Sequence, residues 1–497
     1  MRAGPILAAA LGLLAGAVSL LRADDAAEKS RRGKELMAAG RYAEAVTPYR
    51  ELVDAAPQNP GLLLNLGMAL HLSGQDAEAV PRLEAALRLQ PDLFPAALFL
   101  GAAHLRLGRA AASVAPLETA VRLEPDNRDA RSLLAEALVG LERYAEAAPH
   151  LRRLSQLAPA DAATWFSLGK AYEELAGGAF RELMDRDPES AYGLALVAEA
   201  RLKQDRRAAA FVLYRQAIDR APNLRGLHAA VAEIYRATGH SDWAAVEEER
   251  ERKLPRPDCP REALECAFSA GKHLDVVAAA SKQPSAAARY WTVRAYNELA
   301  LGAFSRLTAL PPSAEAYEWT AQMHREEGRH LESAEQWRKA VALAPGDSRL
   351  RLELALTLRM ARDLAGARQV LEELLKTSPD LPEANGLLGD VLLAEEQPER
   401  ALPLLEKAVR LRPEPPQGHG SLGRAYALVG RPADAIPHLE KALPADADGS
   451  LRYQLARCYQ AAGRPEDARK ALAAYEEIRK ASPPPETASQ GPPITPP

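Results

Sequence analysis

The residues best suited to chemistry are scattered along this chain. Its ten histidines stand singly, and the nearest pair, His324 and His330, is six residues apart across a turn. That is not the i, i+4 spacing that sets two imidazoles on one helix face for zinc, and no cysteine stands beside them. The Gly177-Gly178 pair lies in a helical pattern without a following Lys-Ser or Lys-Thr, so it is no phosphate loop; there is no dinucleotide fingerprint and no serine elbow. The acidic run Glu247 to Glu249 sits beside Arg250 and Arg252 and reads as an exposed, charged helix face. No catalytic residue, metal site or cofactor is expected.

Three cysteines are too few for a disulfide-built scaffold. Cys259 and Cys266 would lie about 10 Å apart within one helix, too far for a bridge. Pro260 places Cys259 in the preceding loop, from which it can fold back, so a bridge and two separately packed thiols both stay open. Cys458 reads as a small buried residue.

The elements that would position any site are helices. Ala, Leu, Glu and Arg dominate, aromatics are 5 % of the 497 residues, and no alternating strand-like run occurs. A formal charge of -4 leaves no basic footprint for nucleic acid. Residues 1–23 read as an export signal: Arg2, an apolar run from Ile6 to Leu21, then Leu21-Arg22-Ala23 as a cleavage site. The expectation is a periplasmic or secreted protein with a mature start near Asp24. An uncleaved membrane anchor is the alternative, since the run approaches the length of a spanning helix.

A fixed period organises the rest. Pro57, Pro91, Pro125 and Pro159 follow one another at 34 residues, as do Pro345, Pro379 and Pro413; Gly33, Gly67 and Gly101 keep the same step, as do Gly389 and Gly423. Within the unit from Pro60, Gly67 is eighth, Ala79 twentieth, Ala86 twenty-seventh and Pro91 thirty-second, and Gly389, Ala401, Ala408 and Pro413 fill those slots in the unit from Pro382. Gly or Ala belongs where two helices cross closely, and larger residues such as Tyr49, Tyr172, Tyr214, Trp337 and Tyr426 fill the space beside them. Gly40, Gly74, Gly108, Gly430 and Gly463 make the turns, and the last proline stops the second helix. This pattern resembles the tetratricopeptide repeat, from Ala26 to Ser482, with units starting at Ala26, Pro60, Phe94, Arg128, Ala162, Ala191, Arg225, near Pro257, and at Ala314, Ser348, Pro382, Pro416 and Gly449. The resemblance implies an all-α fold, a right-handed alpha-alpha superhelix.

Two abnormal units interrupt it. Ala171 to Phe180 and Ala295 to Phe304 share the string AYxELAxGAF at an offset of 124 residues. Lacking a turn signal, each reads as one long helix, about 164–186 and about 288–310. The expected blocks are residues 26–161, an irregular centre at 162–313, and 314–482. Within the centre, Lys272 to Ser285 reads as a short helix pair. The tail at 483–497, with seven prolines, is too polar to build a core and is expected to be disordered.

In proteins of the resembled family, first-helix slots two, five, nine, twelve and thirteen line a groove that holds peptides or helices. Here they give an apolar strip, Leu64, Met68, His71, Leu72, Leu98 and Leu105, with Arg106 beside it, and a basic-aromatic set, Arg424, Tyr453, Arg457 and Gln460, suited to a carboxylate or acidic segment. Between them Arg325, Arg349 and Arg359 are offset by Glu315, Glu318, Glu326, Glu383 and Asp390. Repeats that clamp acidic chaperone tails carry Lys and Asn in three successive units; Asn65 fits, but Pro95, Leu98 and Ala102 do not. The resemblance implies a non-catalytic adaptor with a protein or peptide partner and no nucleic acid, touching membrane only through an uncleaved N-terminal segment. A small-molecule or cell-wall glycan binder is the alternative.

Overall fold

The computed structural model describes residues 25–481 and 494–497; the expected signal, residues 1–23, lies outside them. Among the described residues every regular element is helical. First helices start at Pro60, Phe94, Arg128, Ala162, Ala191, Leu227, Ala314, Ser348, Pro382, Pro416 and Ser450, within two residues of the starts set by the repeat register. A typical unit is a 13-residue helix, Pro60–Leu72, and a 14-residue helix, Asp76–Leu89.

Local chemistry explains each boundary. Asn59, Asn127, Ser190 and Ser313 accept hydrogen bonds from the exposed amides at helix starts. The chain turns between paired helices through a left-handed residue, which Gly40, Gly74, Gly108, Gly328, Gly430 and Gly463 adopt without penalty. Where the unit has no glycine there, Glu142, Asp205, Arg362 and Glu396 take the same conformation with φ of 56 to 62°.

The crossing point inside each hairpin is equally specific. A Cβ added at Gly67 would meet Leu83 at 2.6 Å, one at Gly101 would meet Leu117 at 2.3 Å, and one at Gly389 would meet Leu405 at 2.5 Å. At Gly33 the neighbour is Tyr49, at 2.7 Å. The eighth slot therefore makes room for one large residue of its own partner helix. Those residues, with Trp337, are among the most deeply buried in the chain.

Contacts group the chain into two compact units, one of residues up to Ala179 with Val293–Ala303, the other of Phe180–Thr292 with Phe304–Pro497. Ala162–Arg186 and Ala286–Thr308 are uninterrupted helices of 25 and 23 residues, as expected of the two abnormal repeats. The Lys272 to Ser285 stretch corrects the sequence reading: it holds one short helix, His273–Ala280, whose partner is Ala263–Ser269. The fourteen residues of the stretch hold this eight-residue helix and its flanking turns, which leaves no room for a second helix. Cys259 sits in the loop before Ala263–Ser269 and Cys266 inside it; they form a disulfide with Cα atoms 5.6 Å apart. Of the tail at 483–497 expected to be disordered, residues 483–493 lie outside the description, whereas Thr495 accepts a hydrogen bond.

Candidate functional site

The basic set on the last repeats is brought together in part. The helices Pro416–Leu428 and Ser450–Ala461 place Arg424 and Arg457 in one cleft of about 430 Å³, with Ala427, Leu428, Gln454 and Ala461. Among the described residues neither arginine is within ion-pair distance of a carboxylate, and both are exposed. Leu428 is 60 % exposed, so an apolar edge lies beside two guanidinium groups that are in no close ion pair. Tyr453 and Gln460 are exposed but do not line the cleft; Tyr453 packs on Tyr475 with ring centroids 5.4 Å apart.

The preceding repeats show why this cleft differs. Arg349 grips Glu318 of the unit before it with contacts of 2.5 and 2.8 Å, and Arg325 pairs with Glu353 of the unit after it at 2.5 Å. Those guanidinium groups join neighbouring repeats and are not available to a ligand. Asp390, facing Arg359 and Arg424, is held above the ordinary carboxylate range by burial.

On the N-terminal repeats the picture is different. Leu64, Met68, Leu72, Leu98 and Leu105 are half-buried, and Leu64 packs against the core cluster that runs from Leu36 to Ala103. His71, placed in the groove by its slot, is only 8 % exposed. Its Nδ1 lies 2.5 Å from Asp76 Oδ1, and Arg106 reaches both Asp76 oxygens at 2.5 and 2.8 Å and the His71 carbonyl. This network ties one repeat to the next. Burial outweighs the Asp76 hydrogen bond and keeps the imidazole below its usual pKa. Burial works against the charged form of Asp76 as well, but Arg106 and His71 overcome it and lower that carboxyl.

A second internal acid was misread. Glu247, expected on a solvated face, is fully buried: His228, Arg215 and Arg250 all converge on it. Helix-face charge patterning cannot reveal partners that arrive from other helices. The rings of Phe211, His240 and Trp243 pack on Tyr235, a cluster the repeat pattern did not single out; His240 and Trp243 stack at 4.1 Å. Among the described residues no group of three or more His, Cys, Asp or Glu side chains is placed to hold a metal, and no helix is long and apolar enough to cross a membrane.

Models of the tetratricopeptide repeat match residues 30–94, 77–128, 98–162, 132–177, 297–348, 328–382 and 387–450, and a second model of the same repeat matches 429–484. Together they cover more than half of the chain. No curated protein matches it. Among solved structures, MamA from Desulfovibrio magneticus is 22 % identical over 34 % of this chain and 97 % of its own, with a TM-score of 0.32. A tetratricopeptide repeat protein from Parabacteroides merdae is 12 % identical over 67 % of this chain and 99 % of its own, TM-score 0.31. The Cut9–Hcn1 hetero-tetramer of the APC/C gives 14 % identity over 90 % of this chain and 93 % of its own, TM-score 0.33. Likenesses at that level carry no functional weight; the repeat match does.

Proposed function

This chain belongs to the tetratricopeptide-repeat family, and from that premise we propose that it is a non-catalytic scaffold that holds a segment of another protein in the cleft of its last two repeats. The observation that carries the reading is the contrast in guanidinium use: Arg325 and Arg349 are consumed in ion pairs between repeats, while Arg424 and Arg457 converge unpaired beside exposed Leu428. Two guanidinium groups in no close ion pair, with an apolar edge, suit a segment that alternates carboxylates and aliphatic side chains.

Residues 1–23 support an export route, and we place the partner in the cell envelope or outside the cell. Cell fractionation with N-terminal sequencing tests this part: a start near Asp24 in the soluble envelope fraction is expected, and an intact Met1 in the cytoplasm would overturn it.

The cleft is tested with a labelled octapeptide of alternating Asp and Leu. Saturable binding that weakens with salt, and at least tenfold in Arg424→Ala/Arg457→Ala, is expected. Binding indifferent to both salt and the double substitution would remove the proposal.

One observation favours the glycan alternative. A cleft of about 340 Å³ beside the Ala286–Thr308 helix combines Tyr192 and Trp291 with Asn223, Arg261 and Glu262. Aromatic faces with polar neighbours suit a sugar ring. A melting shift with cell-wall oligosaccharides that vanishes in Tyr192→Ala would support it, and no shift would dismiss it.

A further inference from the structure

Tyrosine at the eleventh slot has a regular partner in the last repeats. Tyr426 donates its hydroxyl to Glu406, twenty residues earlier, at 2.7 Å, and Tyr459 donates to Glu440, nineteen earlier, at 2.5 Å. In both cases the acceptor sits on the second helix of the preceding unit. Tyr235 occupies the same slot of its unit, but twenty residues earlier stands Arg215, a donor. The nearby acid cannot substitute, because Glu247 is already held by Arg215, Arg250 and His228. A buried phenol without an acceptor would be costly, and Tyr235 is fully buried.

Its acceptor is the Thr495 carbonyl, 2.6 Å away and 260 residues on. The chemistry of that segment fits the role. Thr495 precedes Pro496, which holds it extended, and a prolyl backbone presents carbonyls while offering few N–H donors of its own. Ile494 and Pro497 are half-buried while Thr495 and Pro496 are exposed, so the two covered residues are three apart. That is the repeat of a polyproline II helix, which sets residues i and i+3 on one side. The rings of Phe211 and Trp243 pack on Tyr235, each with its centroid 5.5 Å from the Tyr235 ring. Aromatic shelves with a hydroxyl donor are a common way to hold extended prolyl segments.

We infer that the surface built on Tyr235 by the helices Arg207–Arg220, Leu227–Ala237 and Ser241–Lys253 is a docking site for an extended prolyl segment, and that the chain's own residues 494–497 occupy it. Position 215 holds arginine where the last two repeats carry the accepting glutamate, and at Tyr235 the acceptor is an incoming backbone carbonyl. The inference goes beyond the scaffold reading and concerns different repeats, so its failure would leave the Arg424–Arg457 cleft untouched.

The test is a titration of a fluorescent hexapeptide with the sequence of residues 492–497 onto the full chain and onto a chain ending at Gly491. Saturable one-to-one binding is expected for the shortened chain and at least tenfold weaker binding for the full chain, whose tethered copy competes at high effective concentration. Tyr235→Phe in the shortened chain should weaken binding roughly three- to tenfold, the effect of one hydrogen bond. Trp243→Ala should weaken it further, and replacing the prolines of the peptide by alanine should abolish it. Circular dichroism and melting confirm that both variants are folded. Equal binding by the full and shortened chains, absence of saturation, or a proline-free peptide that binds as well would each overturn the inference.

Discussion

Tyr172 and Tyr296 hold the same position in the string that recurs 124 residues apart, and their rings stack on each other with centroids 6.0 Å apart. In the last two repeats the tyrosine at this slot hydrogen-bonds to the second helix of the preceding unit. Here each abnormal unit has one long helix in place of a hairpin, and the two rings pack on each other while the Tyr172 hydroxyl also meets Arg152 of the preceding unit. Burial pushes both phenols above their ordinary pKa. A double-mutant cycle of Tyr172→Leu and Tyr296→Leu, followed by urea unfolding, should give a coupling of about 1 kcal/mol. Additive effects would show that the two rings act independently.

The close crossings predict opposite outcomes for two glycines of one helix. Gly389→Ala forces a methyl to 2.5 Å from the Leu405 side chain and should cost about 1–3 kcal/mol. Gly386→Ala meets only Ala408 Cβ at 3.8 Å, an ordinary contact, and should be neutral or stabilising by up to ~1 kcal/mol through helix propensity. Thermal melting of the two variants decides it.

Glu142, Asp205, Arg362 and Glu396 stand in left-handed backbone where other described hairpins have glycine, Gly239 and Gly271 among them. Replacing any of them by glycine relieves the Cβ conflict, and each should stabilise the chain by up to about 1 kcal/mol. Glycine at exposed Glu335, inside the second helix His330–Leu343, should instead destabilise by about 1 kcal/mol. Urea midpoints of Glu396→Gly and Glu335→Gly provide the comparison.

Burial holds His71, His104, His150 and His438 below the ordinary imidazole pKa. The unfolded chain therefore takes up protons near pH ~6.5 that the folded chain refuses. A folded pKa lower than the unfolded one contributes stability that is complete above the unfolded value and is lost as pH falls. The urea midpoint should drop between about pH 7.5 and about pH 5.5, and His438→Gln should flatten the slope. Asp76, held low, adds a separate loss below about pH 4. A midpoint that rises on acidification would contradict the burial of these rings.

Much of the fold was legible because it rests on short-range rules repeated many times. Gly67 and Leu83 meet within one unit, and Pro91 ends a helix by its own geometry, so register alone located them. The long helices were legible from a missing turn signal. Pairings between units were not. His71 has the slot of a groove residue, yet Arg106 of the next repeat and Asp76 of its own draw it inside. Glu247 looked solvated because its partners lie 19 and 32 residues away on other helices. Tyr235 carried no signal of its own in the sequence, because its acceptor Thr495 lies 260 residues on and outside the repeat register.

The central claim, that the last repeats present a surface to another protein, is tested most directly by site-specific photocrosslinking in the source cell. A photoreactive residue replaces Leu428 in the Arg424–Arg457 cleft, and in a separate chain Leu331, which is comparably exposed, 65 % against 60 %, on a second helix. A discrete protein adduct from position 428, lost in Arg424→Ala/Arg457→Ala and absent from position 331, is the predicted result. The same adduct from both positions, or none from 428, would contradict it.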